Sequence, residues 1–579
     1  GQVYQNRVHY VKAKVPEIQV EGQEPRIGVF VCDCGINIRG TVDVPKVVEY
    51  AKTLPNVVHA EEGKYTCSAD FQEKIKQRIG ELKLNRVVVA SCTPRTHEPL
   101  FQSTIEEAGL NPYLFEMANI RDQCSWIHIH EPEKATEKSK DLVRMAVAKS
   151  RLLEPLKRST LAVNHSSVVI GGGLAGMTAA LDIADQGFPV HIIEREGELG
   201  GNMKSIQNEE GGIRPTAQLN DLVSRIREKD KITVHLNTSI TDVAGSVGAF
   251  KVKTSKGDEI EAGAIVVAVG GKQYQPKEYL YGEDPKVVTQ WELEERLLKG
   301  PVQAKNVVMI QCVGSRNKET PYCSRVCCTE AVRNAIQVKK VSPSTEVYIL
   351  HKDIRTYGFR EDYYKLAGEL GVKFVRFDEN ADPKLERQGA NLSILVDDVI
   401  LGETLRLRPD LVVLSTGIRP NQDNENLAKL LKVPLSKDGY FLEAHMKLRP
   451  VDFATDGIFL AGLAHWPKFM DETIAQASGA AARAMTIISK DELTGTAFVP
   501  VVDETKCRAC GTCEGVCAYK AVSMVEISPG ILKARVNPMM CKGCGGCGAV
   551  CPTGAIVSTH FTDKQLLAAA RAILDEVSE

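Results

Sequence analysis

The stretch "SSVVIGGGLAGMTAALDIADQGFPVHIIEREGELGGN", Ser166 to Asn202, decides how the centre of this chain folds. A short β-rich run leads into Gly171-x-Gly173-x-x-Gly176, followed by an amphipathic helical pattern and a second apolar strand ending at Glu194. In such a strand–helix–strand unit the first glycine makes the tight turn and the second lets the backbone approach a pyrophosphate. The third lets helix and strand pack closely. The phosphates then lie on the helix N-terminus, and Glu194, eighteen residues after Gly176, suits a ribose hydroxyl. A glycine fingerprint alone is a weak sign; the complete unit around it points to a dinucleotide.

Working outward, "GELGGN" (with Gly200, Gly201 and Asn202) resembles the continuation at the FAD site of two-dinucleotide-binding flavoproteins. Two further segments, "AIVVAVGG" with Gly270 and "DLVVLSTGIRP", look like that family's paired crossings between domains. The segment "ATDGIFLAGLAHWP", with Gly462, resembles its late return to the flavin ribityl chain. The family carries an acidic residue after that Ala-Gly; Leu463 stands here, so the ribityl contact has to come from elsewhere. The next segment, "DETIAQASGAAARAM", reads as a helix whose N-terminus, in the family, faces the flavin pyrimidine. A helix dipole there favours an anionic reduced flavin. Lys468, just upstream, is the candidate for added charge near the ring, with a surface lysine as the plainer reading.

In these flavoproteins a second Rossmann-like unit binds NAD(P)H. Its slot here opens on the apolar run "NVVMI" and continues into "CVGSRNKETPYCSRVCC", ahead of a helical pattern, with no glycine fingerprint. A nicotinamide would lack both the tight turn and the amide approach to its phosphates. Cys312, Cys323, Cys327 and Cys328 instead offer four soft ligands, the number a 4Fe–4S cubane needs. A cluster in place of the nicotinamide is the economical reading. A redox disulfide, although no C-x-x-C occurs, and buried structural thiols stay open beside it.

Two runs near the C-terminus repeat each other: Cys507, Cys510, Cys513, Cys517 and Cys541, Cys544, Cys547, Cys551. Both read C-x2-C-x2-C-x3-C, the spacing of a bacterial two-cluster ferredoxin, in which the fourth cysteine serves the other cluster. The first 4Fe–4S centre is accordingly expected on Cys507, Cys510, Cys513 and Cys551, the second on Cys541, Cys544, Cys547 and Cys517. A double zinc site would rarely use this spacing twice.

A further set lies near the start: Cys32 and Cys34 past an apolar strand, Cys67 before a helix, Cys92 after another strand, and Cys124 in "IRDQCSW". Strands alternating with helical patterns suggest a parallel α/β domain, whose ligands gather at the strand carboxyl ends. Five cysteines exceed what one cubane requires, so a fourth cluster is expected without a readable ligand choice; zinc, a reactive thiol or burial are the alternatives. His128 and His130 read as surface or packed histidines.

The 579 residues allow about three or four domains at roughly 150 residues each. Hydrophobic residues at 43%, charged residues at 25% and a net charge of −2 describe ordinary globular protein, with no electrostatic case for nucleic acid or anionic membrane. No apolar run approaches the ~20 residues of a membrane helix. The chain begins with Gly1 and shows no secretory signal pattern. Seventeen cysteines in such groups suggest metal–sulfur chemistry in a reducing cytoplasm.

Together "CDCGINI", "SCTPRTHEPLF", "NPYLFEMANIRDQCSW", "GGGLAGM", "CVGSR" with "PYCSRVCC" and the ferredoxin runs resemble the A-type subunits of heterodisulfide reductase, over nearly the whole chain from about Arg26. Methanogen members carry an additional ferredoxin insertion; the corresponding stretch here, roughly Gly211 to Gly300, contains no cysteine, so the chain resembles the shorter relatives. The resemblance implies an α/β multidomain protein with a thioredoxin reductase-like, two-dinucleotide-binding FAD fold. An N-terminal α/β iron–sulfur domain precedes it and a ferredoxin domain with two 4Fe–4S clusters follows. The expected division is an N-terminal extension (1–25, a docking element), a cysteine-rich α/β domain (26–155), and FAD domain parts at 156–300 and 421–495. The cysteine-bearing Rossmann-like domain takes 301–420, the ferredoxin domain 496–557 and a C-terminal helix 558–579.

The resemblance also implies FAD-based electron bifurcation, or its reverse, between a low-potential ferredoxin-type route and a higher-potential acceptor. The partners it implies are heterodisulfide reductase-like B and C subunits, ferredoxin, and an electron-donating hydrogenase, formate dehydrogenase or adaptor subunit, within a dimeric hetero-oligomer. The competing readings are a stand-alone NAD(P)H oxidoreductase and a non-bifurcating relay subunit.

Overall fold

The computed structural model of the chain describes residues 15–207 and 215–574. The described chain forms two compact units, one of residues 160–493 and one joining the residues up to 159 with those from 494 onward.

The first unit contains two parallel five-stranded sheets of the same design. One runs in the order Ile458–Leu460, Ala264–Val267, Ser167–Ile170, Val190–Ile193, Ile232–His235. The other runs Val287–Thr289, Leu411–Thr416, Asn306–Val313, Glu346–His351, Lys373–Arg376. Central strands such as "SVVI" and "LVVLST" are buried along their full length. That explains their unbroken apolar runs, since a parallel sheet is covered on both faces. Each sheet is accompanied by a three-stranded antiparallel sheet, built from residues 240–262 and 384–407. The two crossings seen in the sequence meet as a small antiparallel ribbon, Gly271–Gln273 against Ile418–Pro420.

Helix Leu174–Asp185 follows the glycine turn and is buried on nearly every side. Helix Met470–Ile488 packs across it through Ala477, Ala480, Ala481 and Ala484. Small side chains on that face let the two helices approach closely. Residues 215–300 form a helix (Pro215–Glu228), strands and a second helix (Gln290–Lys299). Residues 208–214 lie outside the described residues.

In the second unit the N-terminal sheet runs Val57–Gly63, Ile27–Cys32, Arg86–Ser91, Phe115–Asn119, all parallel. The expected N-terminal extension is corrected in part. Residues 15–25 lie on this domain: Ile18 N donates to the Gly109 carbonyl at 2.7 Å, Asn111 donates to Glu17 at 3.1 Å, and Val20 is buried. Residues 1–14 of the extension lie outside the described residues. The ferredoxin fold is built on two small hairpin-like sheets.

The N-terminal domain and the ferredoxin domain share this unit, which the sequence did not anticipate. The Tyr113 ring meets Phe498 edge-on at 5.1 Å, His560 Nε2 lies 3.1 Å from the Glu154 carbonyl, and Gln565 donates to the Leu152 carbonyl. Helix Asp563–Leu574 packs on helix Pro132–Ser150. The boundaries fall at 159/160 and 493/494, against expected boundaries near 156 and 496.

Candidate redox site

A cavity of about 380 Å³ opens at the carboxyl end of the first parallel sheet. Gly171, Gly173, Glu194, Gly200, Gly201, Asn202 and Gly270 all line it. The fingerprint glycines are explained by what a Cβ would meet. At Gly171 it would lie 2.4 Å from the Ala268 carbonyl oxygen, and at Gly176 1.8 Å from that of Gly171. At Gly173 it would meet nothing within 4 Å. The first and third glycines are demanded by the protein itself, whereas Gly173 faces open space where a phosphate can approach the backbone. Glu194 accepts from Gly172 N at 2.6 Å and from Glu196 N at 2.8 Å, fixing its carboxylate at the cavity edge. Asn202 donates to the Gly271 carbonyl at 2.9 Å, closing one side.

Gly462 does not itself line the cavity; its neighbour Leu463 does. The Gly462 loop is held from both sides. Its N–H donates to Gln476 Oε1 at 3.0 Å, and its carbonyl accepts from Lys468 Nζ at 2.8 Å. Gln476 lies 2.7 Å from His465 Nδ1, and His465 Nε2 lies 2.9 Å from Glu443. The plainer reading of Lys468 as a surface residue is corrected: it is half-buried and lines the cavity. Burial brings its ammonium down to about 7, against the partial support of Glu472.

Several cavity residues went unnoticed in the sequence. Thr329, Thr416 and Asn421 line it, and each carries a buried side-chain oxygen with no hydrogen-bond partner. Asn421 also donates to the Val269 carbonyl at 2.7 Å. It directly follows the "GIRP" crossing, a signal available in the sequence. These orphaned oxygens, the open face at Gly173 and the carboxylate of Glu194 fit a polar dinucleotide such as FAD.

Cys312 lies near the end of its strand in a left-handed conformation (φ 65°), and Cys327 and Cys328 open helix Cys327–Val341. With Cys323 they come together: the thiols of Cys327 and Cys328 both feel Cys312 and Cys323. Arg325 N donates to Cys323 Sγ at 3.2 Å. Burial pushes the Cys312 thiol up to about 11 and Cys328 up to about 12, and holds Cys327 well above its usual value. Such thiols are poor anions by themselves, and bound metal would replace their protons. The first turns of the same helix, with Val326, Thr329, Glu330 and Arg333, line the dinucleotide cavity. Arg325 also reaches the flavin-side helix, its guanidinium 2.7 Å from Glu472.

The ferredoxin cysteines group as the crossed pattern expects. Cys507, Cys510, Cys513 and Cys551 line one pocket. Cys541 feels Cys517 and Cys544, and Cys547 feels Cys541 and Cys517. Backbone amides point at the sulfurs, as at Ala521 N to Cys517 Sγ, 3.2 Å.

At the carboxyl end of the N-terminal sheet, Cys32 feels Cys34 and Cys67, and Cys92 feels Cys67. Cys124 stands apart from these four. It is fully buried, its Sγ 3.0 Å from the Ala135 carbonyl and 3.3 Å from Ser139 Oγ. A π-helical turn over Arg121–Ser125 carries it towards helix Pro132–Ser150. His128 pairs with Glu131 and His130 is exposed, as expected.

All seventeen cysteines carry free thiols. Among the described residues no three His, Cys, Asp or Glu side chains close on a point as a single ion requires. A cubane spaces its four ligands around a larger body, so the fit rests on the number and softness of the donors.

The family described as "Pyridine nucleotide-disulphide oxidoreductase" matches residues 165–309, and that described as "4Fe-4S dicluster domain" matches residues 506–555. The A-type subunit of the H(2):CoB-CoM heterodisulfide,ferredoxin reductase of Methanothermobacter thermautotrophicus is 38% identical, covering 96% of this chain and 98% of its own. The chain belongs to the family of heterodisulfide reductase A-type subunits. Another member, the A-type iron–sulfur subunit of a CoB–CoM heterodisulfide reductase from Methanopyrus kandleri, is also 38% identical over 87% of this chain and 92% of its own. The Methanothermobacter alignment runs over 657 positions, more than the 579 residues of this chain. Among solved structures, Lactococcus lactis thioredoxin reductase covers 56% of this chain and 99% of its own at 18% identity, with a TM-score of 0.41. By its family matches the chain is an iron–sulfur flavoprotein oxidoreductase of the α/β class, with a pyridine nucleotide-disulphide oxidoreductase region and a 4Fe-4S dicluster domain. Among the described residues no helix is long and apolar enough to cross a membrane.

Proposed function

We propose that this chain distributes electron pairs between a low-potential, ferredoxin-type route and a higher-potential acceptor route, as the bifurcating or confurcating subunit of a heterodisulfide reductase-like complex. FAD occupies the cavity between Glu194 and Lys468. Four 4Fe–4S clusters are assigned: two to the crossed ferredoxin sets, one to Cys312, Cys323, Cys327 and Cys328, and one to Cys32, Cys34, Cys67 and Cys92. When bound, the flavin supplies two-electron chemistry that can be split into single steps, and each cluster carries one electron.

The observation that carries this reading is the position of the Cys312 set. It stands at the strand end where a nicotinamide's phosphates would bind, on a helix whose next turn lines the flavin cavity. The chain's own residues do the rest. Gly173 leaves room for the phosphates, and Glu194 is oriented by two backbone amides for a ribose hydroxyl. The N-terminus of helix Met470–Ile488 favours negative charge beside it. Lys468, near 7, can hold or release a proton at Nζ at physiological pH. Tyr322, Tyr440 and Trp466 pack against one another with ring centroids 5.0–5.6 Å apart, joining the cysteine loop to the flavin domain.

The partners assigned by this reading are B- and C-type subunits, ferredoxin, and a hydrogenase, formate dehydrogenase or adaptor that donates electrons, in a dimeric hetero-oligomer in the cytoplasm. The names of the relatives support the heterodisulfide reductase complex and the ferredoxin, one of them being part of a ferredoxin:CoB-CoM heterodisulfide reductase. A redox titration of the purified chain tests the proposal through the two one-electron potentials of the flavin. Strongly crossed potentials are expected; an ordinary order would favour a simple relay. NADH bleaching the isolated chain would favour the stand-alone oxidoreductase.

A further inference from the structure

Arg316 and Lys352 lie beside the Cys312 thiol, together with the carboxylate of Asp353, and the flavin cavity does not explain their placement. Lys352 follows the strand Glu346–His351, and its side chain is only 4% exposed. Its Nζ donates to the carbonyls of Glu379 at 3.0 Å and Arg316 at 3.4 Å, and pairs with Asp382 at 3.1 Å. Arg316, four residues past Cys312, is 11% exposed, holds a left-handed backbone, and pairs with Asp353 and Glu379. Arg355 pairs with Asp353 at 3.2 Å and lies beside the Cys323 thiol.

Each cation has a carboxylate, so simple counting predicts little net field. Burial breaks the tie. Asp382, Glu379 and Asp353 are 60%, 67% and 40% exposed, so water screens them, whereas Lys352 and Arg316 lie inside; Arg355, itself 43% exposed, is screened like its partner. A buried cation costs several kcal/mol in desolvation, as an order of magnitude, and an exposed carboxylate returns little of it. Neutral thiols would return nothing. A thiolate-bound metal group with net negative charge gives these cations their inner partner.

We propose that Arg316 and Lys352 form an inward-facing cationic collar that raises the reduction potential of the metal group held by Cys312, Cys323, Cys327 and Cys328. The proposal rests on the cluster assignment above. Reduction adds one electron, and so one negative charge, to that group, with no bond made or broken in the protein. Positive charge nearby stabilises the reduced form more than the oxidised one, which moves the potential upward. The collar thereby marks this group, rather than the ferredoxin pair, as the entrance to the higher-potential route.

The experiment is a dithionite redox titration of the full chain, purified without oxygen and followed by electron paramagnetic resonance, with iron content measured in parallel. The signal of this group is the one lost in Cys323→Ser. Lys352→Met and Arg316→Gln should keep their iron and shift that midpoint to more negative values, leaving the other midpoints in place. Arg316→Lys should keep the wild-type midpoint. Full iron with an unshifted midpoint in the neutral variants overturns the collar. Where a neutral variant does not fold, Asp353→Asn gives the opposite arm: it removes the carboxylate that acts on the Cys312 and Cys328 thiols, so the midpoint should rise, and an unchanged midpoint overturns the collar. A Cys323→Ser protein that keeps all iron and every signal contradicts the cluster assignment itself, and the collar with it.

Discussion

Arg325 and Glu472 join the cysteine loop to the flavin domain: the guanidinium of the first lies 2.7 Å from the carboxylate of the second. Glu472 is also the capping residue of helix Met470–Ile488, accepting from Phe469 N at 3.0 Å. Arg325 holds φ at 65°, a conformation that costs a side-chain-bearing residue about 1–2 kcal/mol. Both Arg325→Ala and Arg325→Gly lose the ion pair, but only glycine relieves the backbone. The glycine variant should therefore be the more stable by about 1 kcal/mol in denaturant unfolding. Equal stabilities would show that the backbone there is not under strain.

Removing the Glu194 carboxylate leaves the amides of Gly172 and Glu196 without their acceptor. The ribose hydroxyl also loses its charged acceptor, a bond worth about 1.5–3 kcal/mol, so Glu194→Ala should weaken FAD binding by roughly 10- to 100-fold. Glu194→Gln, which keeps one oxygen, should lose less. Fluorescence titration of the flavin-stripped protein measures both, and wild-type affinity in Glu194→Ala would place the ribose elsewhere.

At the N-terminal sheet the burial of Cys124 separates it from the other four thiols. Cys92→Ser should lower the iron content by about four atoms per chain, and Cys124→Ser should leave it unchanged. Iron lost equally from both would put Cys124 back among the ligands.

His351 is buried beside Phe374, and burial brings it down to about 4 from its ordinary 6.5. Between those values the unfolded chain binds a proton that the folded chain refuses, so stability rises with pH across the window and is lost as the pH falls through it. The full effect is about 3 kcal/mol. Going from pH 7 to pH 4.5, His351→Leu should lose about 2–3 kcal/mol less than the wild type in denaturant unfolding. Identical losses would show that His351 is not the group that titrates.

What the sequence disclosed was local. The three-in-seven cysteine spacing and the glycine turn before Glu194 each fix their geometry within a few residues, and the structure groups them as the spacing requires. Long-range packing was hidden. Whether Cys124 joins the other thiols depends on Ala135 and Ser139, which belong to a separate helix. Lys468 looked like a surface residue because nothing adjacent reveals that Gly462 and Trp466 turn their carbonyls onto its ammonium. The pairing of the N-terminal and ferredoxin domains rests on contacts such as Tyr113 with Phe498, nearly four hundred residues apart in sequence.

Iron and flavin counted together in Cys323→Ser, purified without oxygen, test most directly whether metal holds the place of the nicotinamide. About four irons per chain should be missing relative to the wild type, with one FAD retained. Unchanged iron, or flavin lost in step with it, would contradict a separate metal group beside an independently formed flavin cavity.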